Sequence, residues 1–113
     1  MLDAQALARL HDLDPGGRAG LVKRVLATYT QSLRRLLDEL RAACAAGDRE
    51  AMHHAAHTLK SSSASVGALD LSALCADVES RLVRMVDDEA GLATQVERLL
   101  AEGQRIHEGL AAR

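Results

Sequence analysis

Aromatic side chains are almost missing from this chain of 113 residues: there is no tryptophan, no phenylalanine and a single tyrosine, Tyr29. Base stacking on aromatic platforms is therefore excluded as a binding mode. An excess of one charge is missing too. Lys and Arg number 14 against 16 Asp and Glu, a formal net charge of -2, so the chain lacks the basic surplus that nucleic acid or an anionic membrane would demand. No apolar run approaches the ~18 residues of a membrane span, and the N-terminus lacks the basic stretch and apolar core of a signal peptide. Cysteine occurs only as Cys44 and Cys75, far apart and each flanked by small apolar residues. They read as buried free thiols rather than a disulfide, which suits a reducing cytoplasm.

Strand-favouring residues are sparse, whereas Ala, Leu, Arg and Glu dominate, so the chain reads as all-α. Its length fits one domain over 1–113. The only proline lies in Asp14-Pro15-Gly16-Gly17, the strongest break. A short helix is expected before it, over 3–12, and a long one after it, over 18–46, with Leu21, Val22, Val25, Leu26, Tyr29, Leu33, Leu36, Leu37 and Leu40 at helical spacing. Gly47 suits a helix stop and Asp48 an N-cap. The next helix, 49–66, carries Met52, Ala55, Ala56, Leu59, Ser63 and Val66 on its core side. Gly67 suits a left-handed terminus, and Asp70 is the expected cap of a helix over 71–86 with Leu71, Leu74, Cys75, Val78, Leu82 and Val86 inward. After Asp87-Asp88, a last helix over 89–111 offers Leu92, Val96, Leu99, Leu100 and Ile106. Four amphipathic helices with short connections predict an antiparallel up-down-up-down bundle, with the short first helix covering one end.

Three histidines crowd into the segment 49–66: His53, His54 and His57. Projected at about 100° per residue, His57 falls away from the line of Met52, Ala56, Leu59 and Val66 and shares the solvent side with His53, Lys60, Ser61 and Ala64. A neutral imidazole is nucleophilic near neutral pH and can accept a phosphoryl group on nitrogen. Lys60, three residues on, can offer its ammonium to phosphoryl oxygens. Ser61, Ala64 and Ser65 are small enough to let a partner surface approach. Spacing alone does not reach phosphotransfer, since an exposed helical histidine near a lysine is usually plain surface.

The segment Ala56-His57-Thr58-Leu59-Lys60-Ser61-Ser62-Ser63-Ala64-Ser65-Val66-Gly67-Ala68, however, resembles the signature of histidine-containing phosphotransfer domains, roughly A-H-x-L-K-G-S-[AS]-x-x-[LVI]-G-A. The resemblance continues downstream through Leu71, Leu74, Cys75 and Glu79, with Val78 where the family has Leu, and upstream through Ala45-Ala46-Gly47-Asp48. It implies that His57 is the phosphoryl acceptor, attacking through Nε2, and that Lys60 is the family's lysine. Glu79 sits where some members carry a glutamine facing the histidine, and a carboxylate there could orient the imidazole through its far nitrogen. His53, Ser61, Ala64 and Ser65 are the expected docking surface. Ser61 departs from the family's usual glycine, which points to tuning of partner choice or of phosphohistidine lifetime. The implied partners are receiver domains, of response regulators or of a hybrid histidine kinase, which bring their own Mg²⁺. The domain itself is expected to need no cofactor or metal, to have no kinase activity and to be a monomer. The opening Leu2-Asp3 with Leu7, and the Asp14-Pro15-Gly16 turn, resemble the module at the ends of hybrid kinases, so such an origin is the expectation.

Three rival readings differ in specific features. The dimerisation helix pair of a sensor histidine kinase would carry H-E-[LI]-[RK]-[TN]-P, whereas His57 is followed by Thr58-Leu59-Lys60-Ser61-Ser62. A metal or haem bundle could use His53 and His57 at i, i+4 with Glu79 or Asp77 facing them, but His11 and His107 look remote. A helical adaptor without chemistry fits every segment except the one around His57.

Overall fold

A computed structural model describes residues 20–84 and 89–112. Among the described residues all regular structure is helical: α1 Leu21–Ala46, α2 Arg49–Ser65, α3 Leu69–Val83 and α4 Glu89–Ala111. Each helix packs against its neighbours in the chain, and α1 also packs against α4, which closes the ring. The expected helix over 3–12, the Asp14-Pro15 break and the Asp87-Asp88 junction lie outside the described residues.

The helix ends follow from a few residues. Gly47 takes the left-handed conformation, φ 67°, which other residues adopt only at a cost. There the Asp48 N–H donates to the Ala43 carbonyl at 2.9 Å, so the chain turns within two residues. The Asp48 carboxylate then accepts from the Ala51 N–H at 3.1 Å, capping α2 as expected. Gly67, φ 80°, repeats the device at the other end of α2, with the Ala68 N–H donating to the Ser63 carbonyl at 2.8 Å. Asp48→Ala is expected to cost about 1 kcal/mol, a Tm fall of about 5 °C. An unchanged thermal midpoint would show that this cap contributes nothing.

Four boundaries and one burial differ from the sequence reading, the smallest being the end of α2 at Ser65 rather than 66. α1 starts at Leu21, because Gly20 has φ 64° and its carbonyl accepts the first helical bond, from Arg24. The described part of α3 ends at Val83 rather than 86. Asp70 does not cap α3: Ala68 occupies that position without a side-chain bond, and Asp70 lies inside the first turn. The tight closure at Gly67 returns the chain to helical geometry two residues early, and a first-turn carboxylate there still faces the positive end of the helix. Cys44 is free but only half-buried, at the wall of a groove with Met52, Leu92 and Val96, whereas Cys75 is free and buried.

The core is a column of aliphatic side chains. Leu33, Leu36, Leu37 and Leu40 of α1 meet Ala55, Ala56 and Leu59 of α2, Leu71, Cys75 and Val78 of α3, and Val96, Leu99 and Ile106 of α4. Burial is the main cause that raises the Cys75 thiol to about 12; the Glu79 charge adds to the rise and Lys60 opposes it, so this cysteine stays protonated. One polar pair is sealed in the core: the Tyr29 hydroxyl and the Ser63 hydroxyl are 2.8 Å apart. Each satisfies the other, which removes the penalty of an unpaired buried hydroxyl and pins α1 to α2 in one register.

Candidate functional site

His57 is the ninth of the 17 residues of α2, so backbone hydrogen bonds hold its Cα on both sides. Its helical neighbours Ala56 and Leu59 are fully in the core. That fixes the rotation of α2 and turns His57 outward, with its side chain 59% exposed. Across from it on α3 stands Glu79, recessed at 15%. α3 presents it because Cys75, Val78 and Leu82 are buried, which leaves Glu79 on the flank toward α2.

The Glu79 carboxylate joins the cluster. Its Oε1 accepts a hydrogen bond from Lys60 Nζ and its Oε2 is hydrogen-bonded to His57 Nδ1. The Lys60 hydrogen bond is the main cause that holds the Glu79 carboxyl below the usual carboxylate range; partial burial opposes it, and the His57 hydrogen bond and the nearby positive charge reinforce it. An ionised carboxylate can only accept, so Nδ1 carries the hydrogen and the lone pair of His57 resides on Nε2. His53 Nε2 lies 3.5 Å from the same Oε2, with its ring nearly parallel to that of His57, 8° between planes and 6.0 Å between centroids.

The structure thus brings together His53, His57, Lys60 and Glu79. Ser61, Ala64 and Ser65 are exposed on α2 and make no bond to that cluster. The Ser65 hydroxyl donates to the Ser61 carbonyl at 3.0 Å, so it is engaged along its own helix. Asp77 pairs with Arg81 at 3.3 Å and takes no part in the cluster. Among the described residues no group of three or more His, Cys, Asp and Glu is arranged to hold a metal ion. Sequence reasoning missed Ser72, whose hydroxyl donates to the Lys60 carbonyl at 2.9 Å and ties α3 to α2 beside the site. A serine on a helix flank carries no periodic signal by which to find it.

The described helices thus display one oriented, solvent-facing imidazole, His57, beside a lysine and a recessed carboxylate. A family model for the Hpt domain matches residues 24–109, and the chain belongs to that family of histidine phosphotransfer domains, which act in two-component phosphorelays as carriers and interact with receiver domains. The crystal structure of histidine-containing phosphotransfer protein B (HptB) from Pseudomonas aeruginosa PAO1 is similar to it, with a TM-score of 0.73 at 28% identity, covering 96% of this chain and 91% of that one. No curated protein sequence matches the chain. No helix among the described residues is long and apolar enough to cross a membrane.

Proposed function

We propose that His57 is the residue that accepts and donates the phosphoryl group. The observation that carries this is the hydrogen bond from Nδ1 to an ionised, recessed Glu79, which leaves the nucleophilic nitrogen, Nε2, outermost on the most exposed member of the cluster. As Nε2 attacks the phosphorus of a receiver's phosphoaspartate, the N–P bond forms and the aspartyl P–O bond breaks. The carboxylate on Nδ1 stabilises the positive charge that develops on the ring. A second receiver's aspartate takes the group by the reverse step. Incubation with a phosphorylated receiver domain tests this: the chain should acquire an acid-labile, alkali-stable label.

In this reading Lys60 uses one N–H on Glu79 and has two more for the phosphoryl oxygens. His53, Ser61, Ala64 and Ser65 form the docking surface, and the small side chains allow a receiver backbone to come close. Mg²⁺ belongs to the receiver; the domain needs no cofactor of its own and has no kinase activity. The chain forms one domain over 1–113, works as a cytoplasmic monomer, and has its helices in antiparallel up-down-up-down order. The two-residue turn at Gly47-Asp48 and the ring of neighbour-to-neighbour packing support that order.

Lys60→Ala should slow phosphoryl transfer about ten-fold or more, the equivalent of one charge-assisted hydrogen bond of ~1.5–3 kcal/mol, while leaving the circular dichroism spectrum unchanged. Equal transfer rates and equal phosphohistidine decay in the two proteins would remove Lys60 from the site.

A further inference from the structure

Among the described residues only two large apolar side chains stand exposed, Leu69 at 52% and Val83 at 64%, and both are on α3. Leu69, Ala73, Ala76, Ser80 and Val83 recur at alternating steps of four and three residues, which puts them within about 40° of one line along the helix. Ala73 and Ser80 are exposed and Ala76 is half-buried, so the line faces outward, away from the buried Leu71, Cys75, Val78 and Leu82. Glu79 and Ser72 border it on the side of α2, where they hydrogen-bond to His57 and to the Lys60 carbonyl. Asp77 and Arg84 border it on the other side, about 60–80° round.

We propose that this stripe of α3, anchored by Leu69 and Val83, belongs to the receiver-docking surface: an apolar face of the receiver domain lies along it while the receiver's aspartate meets His57. This rests on the reading of His57 as the acceptor. Transfer requires bonding contact between His57 Nε2 and the receiver, so the receiver covers whatever surrounds His57. A specific interface buries about 800 Å² on each partner, which is a disc of about 16 Å radius. Glu79, bonded to His57, marks the level of the acceptor on α3. At 1.5 Å per residue, Leu69 lies about 15 Å before that level and Val83 about 6 Å after it. Both anchors therefore fall inside the disc, on either side of the acceptor.

The chemistry of the stripe suits that role. An exposed leucine and valine gain by leaving water, and an apolar centre with a polar border is the anatomy of a protein interface. The side chains between the anchors are small, so one partner surface can close on both at once. On α2, Ser61, Ala64 and Ser65 continue the uncharged surface but offer no large apolar group. α3 thus supplies binding energy, and the His57 cluster supplies the chemistry.

The test compares the native chain with Leu69→Gln, Val83→Gln and the double variant. Glutamine forms helix well and both positions are exposed, so circular dichroism should not change. The probe is a purified receiver domain that labels the native chain, phosphorylated with acetyl phosphate and then freed of that donor. The receiver concentration giving half-maximal transfer should rise about five-fold in each single variant and about twenty-five-fold in the double one. The limiting rate should stay the same, because neither side chain touches the reacting atoms. Leu69→Met and Val83→Ile should keep the native concentration dependence. Phosphoramidate, a small donor that needs no docking surface, gives its phosphoryl group to Nε2 as its P–N bond breaks and ammonia leaves. It should label the native chain and the double variant equally fast. An unchanged half-maximal concentration overturns the proposal, as does phosphoramidate labelling that falls as far as labelling by the receiver. A native chain that sediments as a dimer, which the double variant abolishes, would assign the stripe to a second copy and overturn it too. Labelling of His57→Gln by phosphoramidate would instead bring down the acceptor assignment beneath it.

Discussion

Replacing His57 with glutamine should leave the chain unlabelled by a phosphorylated receiver domain, while His53→Gln and His54→Gln remain labelled. Glutamine forms helix about as well as the residue it replaces, and the 59% exposure of the His57 side chain means that no core contact is lost. What is lost is, among the described residues, the only ring nitrogen that combines exposure, a lone pair held outward by Glu79, and a lysine one turn away. His54 is exposed too, but it lines a groove with Glu39 and Asp48 on the opposite flank of α2, where two carboxylates would repel a phosphoryl group. His53 has the carboxylate within reach yet points its Nε2 toward it, which turns its donor edge inward. An amide is no nucleophile toward phosphorus at this pH, so the expected label on the His57 variant is background. The three variants should be labelled side by side, with circular dichroism confirming the fold. Persistent label on His57→Gln would place the acceptor elsewhere.

The second large effect concerns a residue remote from the chemistry. Gly103→Val should destabilise the bundle by about 3 kcal/mol, which lowers Tm by more than about 10 °C. Gly103 is in the middle of α4, buried, on the stripe of Leu92, Val96, Leu99 and Ile106. A Cβ built on it falls 2.6 Å from Leu37 Cδ2, 3.0 Å from Cδ1 and 3.3 Å from Cγ. The whole isobutyl group of Leu37 blocks that position, and Leu37 is itself buried, at 1% exposure. Glycine in a helix costs roughly 1 kcal/mol relative to alanine, so the cost of keeping it there is offset by the close approach of α4 to α1. Gly103→Ala should lose less, since its gain in helix propensity offsets part of the clash. In the Gly103→Val background, Leu37→Ala should restore part of the stability by making room. Urea unfolding of the four proteins decides: equal midpoints for native and Gly103→Val would show that the two helices can separate at no cost.

Much of this molecule is legible in the sequence because the signals are local. Helical spacing picked out the inward residues of α2, from Met52 through Val66, and all of them are buried. Gly47-Asp48 and Gly67 marked real ends, since a left-handed residue and a carboxylate cap act within three or four positions. Where local signals competed, the reading slipped. Asp70 has the chemistry of a cap, but the backbone closure at Gly67 determined where α3 begins. Cys44 has apolar neighbours in sequence, but its helix face borders a groove.

The sequence by itself determined that four helices form, which face of each is apolar, and that His57 and Lys60 share a solvent-facing stripe. These are properties of a single helix, dictated by a rise and rotation per residue that do not depend on any partner. Only the tertiary structure decided what faces that stripe. Glu79 is 22 residues from His57, and whether its carboxylate reaches Nδ1 depends on the rotation and axial register of α3 against α2. Periodicity leaves both free to within a turn; they are set by the packing of Leu59 and Cys75 in the core and by the Ser72 to Lys60 hydrogen bond. The same holds for the Tyr29–Ser63 pair and for Gly103 against Leu37. Such contacts join residues whose sequence neighbourhoods carry no mark of each other, so they exist only once close packing has chosen one register among several that are equally amphipathic.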